Sequence, residues 1–374
     1  MTIFPIKKHL SIPGLLFCGL VLSGCGELGY YRQAIQGQYH MMAKRRPIAE
    51  ITRDSESPES LQKRLAFILR VREFARSELH LPVDNNYRHF VDLDKPHVAW
   101  TVSATPEFSL TPHTWCYPVV GCAAYRGYFS KEEAERYAAG LKSRGLDVCV
   151  SGVYAYSTLG WFDDPVLSTF LRYSAASVAA LIFHELAHRK LYVKGDTAFN
   201  EGFASFVEQE GLRRWQSALE NPDFYEAYIV KCSLRREFIE FISQYRERLE
   251  SLYHSPTPES EKRKRKASIF SDLRKEFHRR KAMDAEWAAY DVWMSPPLNN
   301  VKICTVAIYN DFVPAFRKIL AEKKGDMAQF YEACRKLTQV GKAARHQVLR
   351  AYLEANGVVV EHRDAVSPEM PDEI

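Results

Sequence analysis

Two histidines four residues apart, His184 and His188, lie in the segment LIFHELAHRK (181–190), with Glu185 directly after the first. The stretch around them is rich in strong helix formers and free of glycine and proline, so the sequence predicts a helix. Side chains four residues apart on a helix are about 6 Å apart at Cβ, which lets two imidazoles bind one ion. Glu185 would lie beside that ion, where a carboxylate can take a proton from water. The alternative is an ordinary buried helix that carries two histidines.

The segment NEGFASFVEQEG (200–211) offers a third ligand. A glycine turn at Gly195 and a cap at Asn200 predict a second helix that returns over the first, with Glu201 in its first turn. Two imidazoles and one carboxylate leave a fourth coordination position open, as in catalytic rather than structural zinc sites. Glu208, about two turns further along the same face, is a reserve ligand.

Ligating histidines normally donate their second ring N–H to a carboxylate or carbonyl. Three acidic residues near the motif in sequence are candidates for this support: Asp163, Asp164 and Asp196.

The sequence patterns on either side of these residues predict an α+β fold that is mainly α. Aromatic and β-branched segments broken by Pro and Gly indicate strands from about residue 96, and the pattern beyond residue 165 is helical almost to the end. A small α/β strand region is therefore expected to pack on the active-site helices, followed by a helical C-terminal part. The predicted boundaries are a signal peptide (1–24), an N-terminal helical segment (25–95), a strand-rich α/β region (96–165), a zinc-site helix hairpin (166–215) and a C-terminal helical region (216–374).

The N-terminus has the features of an export signal. A basic region precedes the apolar run SIPGLLFCGLVLSG (11–24), which is shorter than the roughly 20 residues of a spanning helix. The run ends in LSGC (22–25), which resembles the lipobox of bacterial lipoproteins. That resemblance implies cleavage before Cys25, a lipid anchor on its thiol and, since Gly26 rather than Asp follows, the periplasmic face of the outer membrane's inner leaflet. An uncleaved anchor and a plain secretory signal are the alternatives.

Composition narrows the class of protein. The net charge of +5 is small for 374 residues, and no interleaved basic and aromatic pattern appears, so we expect no nucleic-acid partner. The basic run Lys262–Lys266 is interpreted as a solvated helix face. An oxidising compartment permits disulfides, and Cys116 and Cys122 are the first candidate pair, with two free thiols as the alternative.

HExxH followed by NEGFA resembles the gluzincin metallopeptidases, which include zinc aminopeptidases whose second helix begins Asn-Glu. The resemblance implies Zn²⁺ held by His184, His188 and Glu201, with Glu185 as the general base that activates zinc-bound water. It also suggests Tyr309, in AIYNDF, as a donor to the tetrahedral intermediate, with packing as the alternative role. The chain departs from that family in two respects. Only twelve residues separate the second histidine from the carboxylate, and the Gly-Ala-Met-Glu-Asn stretch that binds a substrate's α-ammonium has no equivalent.

Longer segments, among them CYPVVGCAAYRGYF and DTAFNEGFASFVEQEG, are similar to a bacterial lipoprotein family described as predicted aminopeptidases. This resemblance implies a zinc-dependent metallopeptidase of aminopeptidase type, acting on peptides and tethered to a membrane through Cys25. Two alternatives stay open: a zinc endopeptidase that processes envelope proteins, and a catalytically inactive assembly lipoprotein.

Overall fold

Helices make up most of the chain in the computed structural model, which describes residues 13–117, 121–154, 163–219, 223–306 and 312–354. The α+β, mainly α class is confirmed. The helices are α1 Pro13–Ala43, α2 Ile48–Ile51, α3 Glu59–Ser77, α4 Lys131–Lys142, α5 Ala175–Lys190, α6 Thr197–Leu219, α7 Asp223–His254, α8 Glu259–Met283, α9 Asp291–Met294, α10 Asn300–Thr305, α11 Val313–Glu322, α12 Met327–Thr338 and α13 Lys342–Glu354, with 3-10 turns at Phe170–Arg172 and Ala285–Tyr290. None of these described helices is long and apolar enough to cross a bilayer.

The strands form two small sheets and a hairpin. The strands are β1 Arg46–Pro47, β2 His89–Val91, β3 Ala99–Pro106, β4 Trp115–Tyr117, β5 Gly121–Ala123, β6 Tyr125–Tyr128, β7 Leu146–Val153 and β8 Val166–Leu167. The sheet β6-β3-β7 is antiparallel and encloses its own core with α4, whereas the short sheet β1-β2-β8 shares the main core with α5 and α6. Cys116 and Cys122 face each other across β4 and β5 and form the predicted disulfide.

The helix hairpin α5–α6 is the centre of the main core. Ser174 caps α5 by accepting the N–H of Ser177 at 3.2 Å. The two helices approach closely because α6 has a glycine at the crossing: a Cβ built on Gly211 would lie 2.7 Å from the Phe183 ring. Because the helices are in close contact, the two histidines on α5 face Glu201 on α6.

The start of α6 differs from the sequence prediction. The helix begins at Thr197, and Asp196 caps it by accepting the N–H of Phe199 at 3.3 Å. Asn200 lies inside the helix and is not its cap. Its side chain accepts the N–H of Val193 and donates to the carbonyl of Val193 (2.8 and 2.9 Å), which closes the turn between the helices. Glu201 therefore lies in the second turn of α6, directly after two residues, Asp196 and Asn200, whose side chains fix the start of the helix.

Part of the basic run on α8 is not the solvated face that was predicted. Arg263 pairs with Glu107 at 2.8 Å, and Lys266 lies 2.7 Å from Asp147 with 12% of its side chain exposed. Because Glu107 and Asp147 belong to the strand region, these cations join the α7–α8 hairpin to it.

Candidate metal centre

Three predicted ligands meet at one point between α5 and α6. The Nε2 atoms of His184 and His188 lie 3.1 Å apart. One carboxylate oxygen of Glu201 lies 3.4 Å from the first nitrogen, and the other lies 3.3 Å from the second. One donor atom from each residue lies within 4.8 Å of the others, so the group could hold a metal ion.

The donors match zinc in number and chemical type. Zinc binds histidine nitrogen and carboxylate oxygen at about 2.0–2.2 Å, so ligand atoms on a tetrahedron around it are about 3.3 Å apart. The two nitrogens are 3.1 Å apart, close to that value, whereas the 3.4 and 3.3 Å contacts belong to different oxygens of Glu201, so its carboxylate spans the histidine pair. A single Glu201 oxygen lies within 4.8 Å of both nitrogens, so the group could hold an ion of this kind.

Glu208 binds the other side of the first histidine. The Nδ1–H of His184 donates to Glu208 Oε2 at 2.8 Å, and both side chains are buried. Burial alone would favour the neutral imidazole, but the hydrogen bonds with Glu201 and Glu208 raise the pKa of His184 well above its usual value. Glu208 thus orients the ring and leaves Nε2 directed at the candidate metal position. From the sequence, Asp163, Asp164 or Asp196 was expected to make this supporting contact with a histidine, but for His184 it is Glu208 that makes it.

Glu208→Gln is expected to lower zinc affinity about tenfold without removing the ion, because supporting partners tune ligand orientation and basicity rather than bind metal. The measurement is a competitive titration against a chromogenic chelator. An unchanged affinity would show that the contact between Glu208 and His184 does not tune the ligand.

Glu185 lies half-buried beside the two histidines. Burial raises the pKa of its carboxyl above the ordinary 4.5, and the nearby charge of Asp164 acts in the same direction. A raised pKa makes a carboxylate a better proton acceptor near neutral pH. The charges of His184 and His188 act in the opposite direction, and the net result is a carboxyl that is a stronger base than an ordinary glutamate.

A residue that the sequence did not indicate lies close to this base. Tyr87 is buried, and its backbone φ of 59° lies in the left-handed region, which is uncommon for a bulky residue. Its N–H donates to the carbonyl of Asp164 at 2.8 Å. Burial, followed by the charge of Glu185, raises the pKa of the Tyr87 phenol well above 10.0. Its loop has no sequence motif that would have revealed it.

The family model described as "Putative aminopeptidase" matches residues 29–349, which is most of the chain. The chain belongs to this family. No curated protein and no solved structure matches it. The matched span contains the two histidines, Glu185, Glu201 and Glu208, so the whole site lies in the part that defines this aminopeptidase family.

Asp196, Arg345 and His346 form a buried ion cluster that holds the turn before α6 in this member of the family. Asp196 accepts from the Arg345 guanidinium at 2.7 and 2.8 Å, and His346 Nε2 lies 2.7 Å from its second oxygen. Asp196 is 1% exposed, and both of its partners lie on α13. Burial alone would raise the pKa of Asp196, but the hydrogen bonds from His346 and Arg345 hold it below the ordinary 3.8. The C-terminal helix is thereby tied to the turn that aims the third ligand.

Asp196→Asn is expected to lower the free energy of unfolding at pH 7 by about 3 kcal/mol, because removing one partner leaves buried charge uncompensated. The lowered pKa means that the ionised carboxylate stabilises the fold above pH 3.8, and that this stabilisation is lost as pH falls through the folded-state value. Urea unfolding at pH 7 and at acid pH measures both effects. Asp94→Asn is the matched control, since its pair with Lys44 is exposed and should contribute less than about 1 kcal/mol. Equal effects at the two positions would contradict the anchoring role.

Two predicted functional residues lie where the structure gives no side-chain information. Tyr309 lies outside the described residues. Cys25 falls within α1, upstream of the first side chain that the structure describes. Their roles as transition-state donor and lipid acceptor stay predictions.

Proposed function

We propose that this chain is a zinc aminopeptidase tethered to the bacterial envelope through a lipid on Cys25 and facing the periplasm. Zn²⁺ is held by His184, His188 and Glu201, and Glu185 is the general base. The observation that carries the metallopeptidase part is the convergence of His184, His188 and Glu201, with one donor atom from each within 4.8 Å of the others. The family description supports the exopeptidase part, and the lipobox sequence supports the tether.

The Glu201 side of the candidate metal position is its more exposed side. The side chains of His184 and His188 are 5% and 2% exposed, whereas that of Glu201 is 31% exposed. An ion bound there would have the buried histidines on one side and the more exposed carboxylate on the other. Three protein ligands leave a fourth position for water or substrate, which supports a catalytic site rather than a structural one.

When bound, zinc supplies a Lewis acid that lowers the pKa of water and polarises the scissile carbonyl. The protein supplies the proton transfers and the orientation. The Glu185 carboxylate accepts the proton of the attacking water and returns it to the leaving amine, a role for which its raised pKa suits it. Glu208 holds the His184 ring in the tautomer whose Nε2 faces the ion. We propose the Tyr309 hydroxyl as the donor to the developing oxyanion.

The test combines metal analysis with the pattern of cleavage. The detergent-solubilised full chain is expected to contain one zinc per molecule and to remove residues one at a time from the free N-termini of a peptide library, as read by mass spectrometry. Acetylated copies of the same peptides are the control, since an aminopeptidase requires the free α-amine. Internal cuts in both sets would replace the proposal with an endopeptidase. Absence of both zinc and cleavage would favour an inactive assembly lipoprotein.

A further inference from the structure

Helix α1 is fixed to the strand region by one face. The side-chain amide of Gln33 donates to the carbonyl of Gly127 at 3.2 Å, and its oxygen accepts the N–H of Phe129 at 3.0 Å. The guanidinium of Arg126 lies 3.8 Å from the centre of the Tyr30 ring. These contacts hold the helix at a set rotation, so its opposite face always points away from the protein.

That opposite face is unusually apolar. Leu28, Tyr31, Ile35 and Tyr39, which we call the α1 stripe, are 71%, 38%, 70% and 69% exposed. Tyr31 lies at the edge of the stripe, because its ring also contacts that of Tyr117 on β4 with the centroids 6.4 Å apart. The four residues are spaced three or four residues apart and so form one line along the helix. Of the eleven exposed large hydrophobic side chains in the described part of the chain, four lie in these twelve residues. Such a concentration marks an interaction surface rather than scattered exposure.

The charges around the α1 stripe favour an anionic surface as the partner. Between Glu27 and the end of α1 there is no acidic residue. Arg32 lies on the exposed side of α1, next to Tyr31. Lys44, Arg45 and Arg46 follow the helix, where they contact Asp94, the carbonyl of Asp163 and Asp54 respectively. A helix with aromatic and aliphatic residues on one strip and a cation beside it has the composition of an interfacial membrane helix. Tyrosine is also favoured at the boundary between acyl chains and water.

Continuity along the chain identifies the same partner. The apolar run 14–22 belongs to the same helix and ends six residues before Leu28. Cys25, the proposed lipid acceptor, precedes Leu28 by three residues. Whether a lipid on Cys25 or the apolar run itself enters the bilayer, the α1 stripe begins at the membrane surface.

We propose that the α1 stripe lies in the bilayer interface, with the helix parallel to the membrane, and so sets the orientation of the whole protein on the lipid surface. The inference rests on the membrane location in the proposed function but not on the zinc site. A helix rises about 1.5 Å per residue, so Tyr39 is about 16 Å from Leu28 along the axis. An upright helix would hold Tyr39 that far from the membrane, whereas a parallel helix brings both residues into it.

Site-specific photo-crosslinking tests this arrangement in the full chain in its native membrane. Benzoylphenylalanine is placed singly at Ile35 or Tyr39, and at Met283 or Val348 as exposed controls outside α1. After irradiation, the mass of the purified protein separates phospholipid adducts from protein cross-links. Because all four side chains are exposed, the replacements leave the core intact. We expect about tenfold more phospholipid adduct at Ile35 and Tyr39 than at the controls, since interfacial insertion buries one helix face only.

Three outcomes would overturn the inference. A cross-linked pair of chains at Ile35 or Tyr39 would identify the α1 stripe as a protein interface. Adduct at both Ile35 and Tyr39 no greater than at Met283 and Val348 would show that the helix does not lie on lipid, and adduct above the controls at Ile35 but not at Tyr39 would show an upright helix. Measuring zinc content and the mass of Cys25 in the same samples separates these failures from failure of the proposed function, because loss of zinc or of the lipid leaves the adduct pattern readable.

Discussion

Glu185→Gln is expected to lower kcat for peptide cleavage by about 10³-fold, within the range that a positioned general base contributes, while leaving the metal bound. The amide keeps the size and the hydrogen-bonding reach of the carboxylate, but it cannot accept a proton from water. No proposed ligand is changed, because the group that could hold the metal consists of His184, His188 and Glu201. Steady-state kinetics on a peptide with a free N-terminus, together with zinc analysis of the same preparation, measures both quantities.

Glu226→Gln is the matched control for this result. Glu226 is an exposed glutamate on α7, so the same chemical change there should leave both kcat and zinc content unaltered. Full activity in Glu185→Gln would exclude that residue as the base. Loss of zinc in Glu185→Gln would show that its carboxylate helps to hold the ion, and the assignment of ligand and base would have to be revised.

Glu201→Gln is expected to weaken zinc affinity by more than about 100-fold, exceeding the effect of changing a supporting residue. The two carboxylate oxygens of Glu201 lie 3.4 and 3.3 Å from the histidine nitrogens, and the substitution replaces this charged ligand with a neutral amide. Chelator competition measures the dissociation constant, and activity should fall in proportion to metal occupancy. Excess zinc should therefore restore part of the activity in Glu201→Gln but none in Glu185→Gln.

Comparing the zinc affinity of Glu201→Gln with that of Glu208→Gln decides which of the two glutamates is the third ligand. Both substitutions remove one negative charge from α6 near His184, so a purely electrostatic effect would be similar at the two positions. A ligand role for Glu201 requires the larger loss there. If Glu208→Gln lost the ion and Glu201→Gln kept wild-type affinity, Glu208 would be the ligand and the contact with His184 Nδ1 would have to rearrange on metal binding.

Much of the local structure around the site was predictable because it depends on nearby residues. Helix propensity and the absence of Gly and Pro predicted α5, and the four-residue spacing placed two imidazoles on one face. Ser130 caps α4 by accepting the N–H of Glu133, a contact that likewise depends only on residues three positions apart. The cap of α6 was misplaced, because Asp196 and Asn200 are both good capping residues and only the geometry of the turn distinguishes them.

The supporting contacts were not predictable in the same way. Glu208 lies seven positions after Glu201, so both lie on one face of α6, but which of them faces the histidine Nε2 atoms depends on how α6 crosses α5. The partners of Asp196 lie 149 and 150 residues away on α13, and no local pattern links them. Arg263 and Lys266 likewise resembled solvated cations until the strand region supplied Glu107 and Asp147.

The sequence by itself determined which groups are available for chemistry: two imidazoles and a glutamate on one helix, a second glutamate near the start of the next helix, and a mainly helical chain. These follow from residue type, spacing and local propensity, which act over one or two turns. Only the tertiary structure decided which carboxylate lies against the Nε2 atoms of both histidines, which one contacts His184 Nδ1, and which face of α1 is left outward. Those outcomes depend on how helices cross and pack, since a side chain acquires its partners from elements far away in sequence.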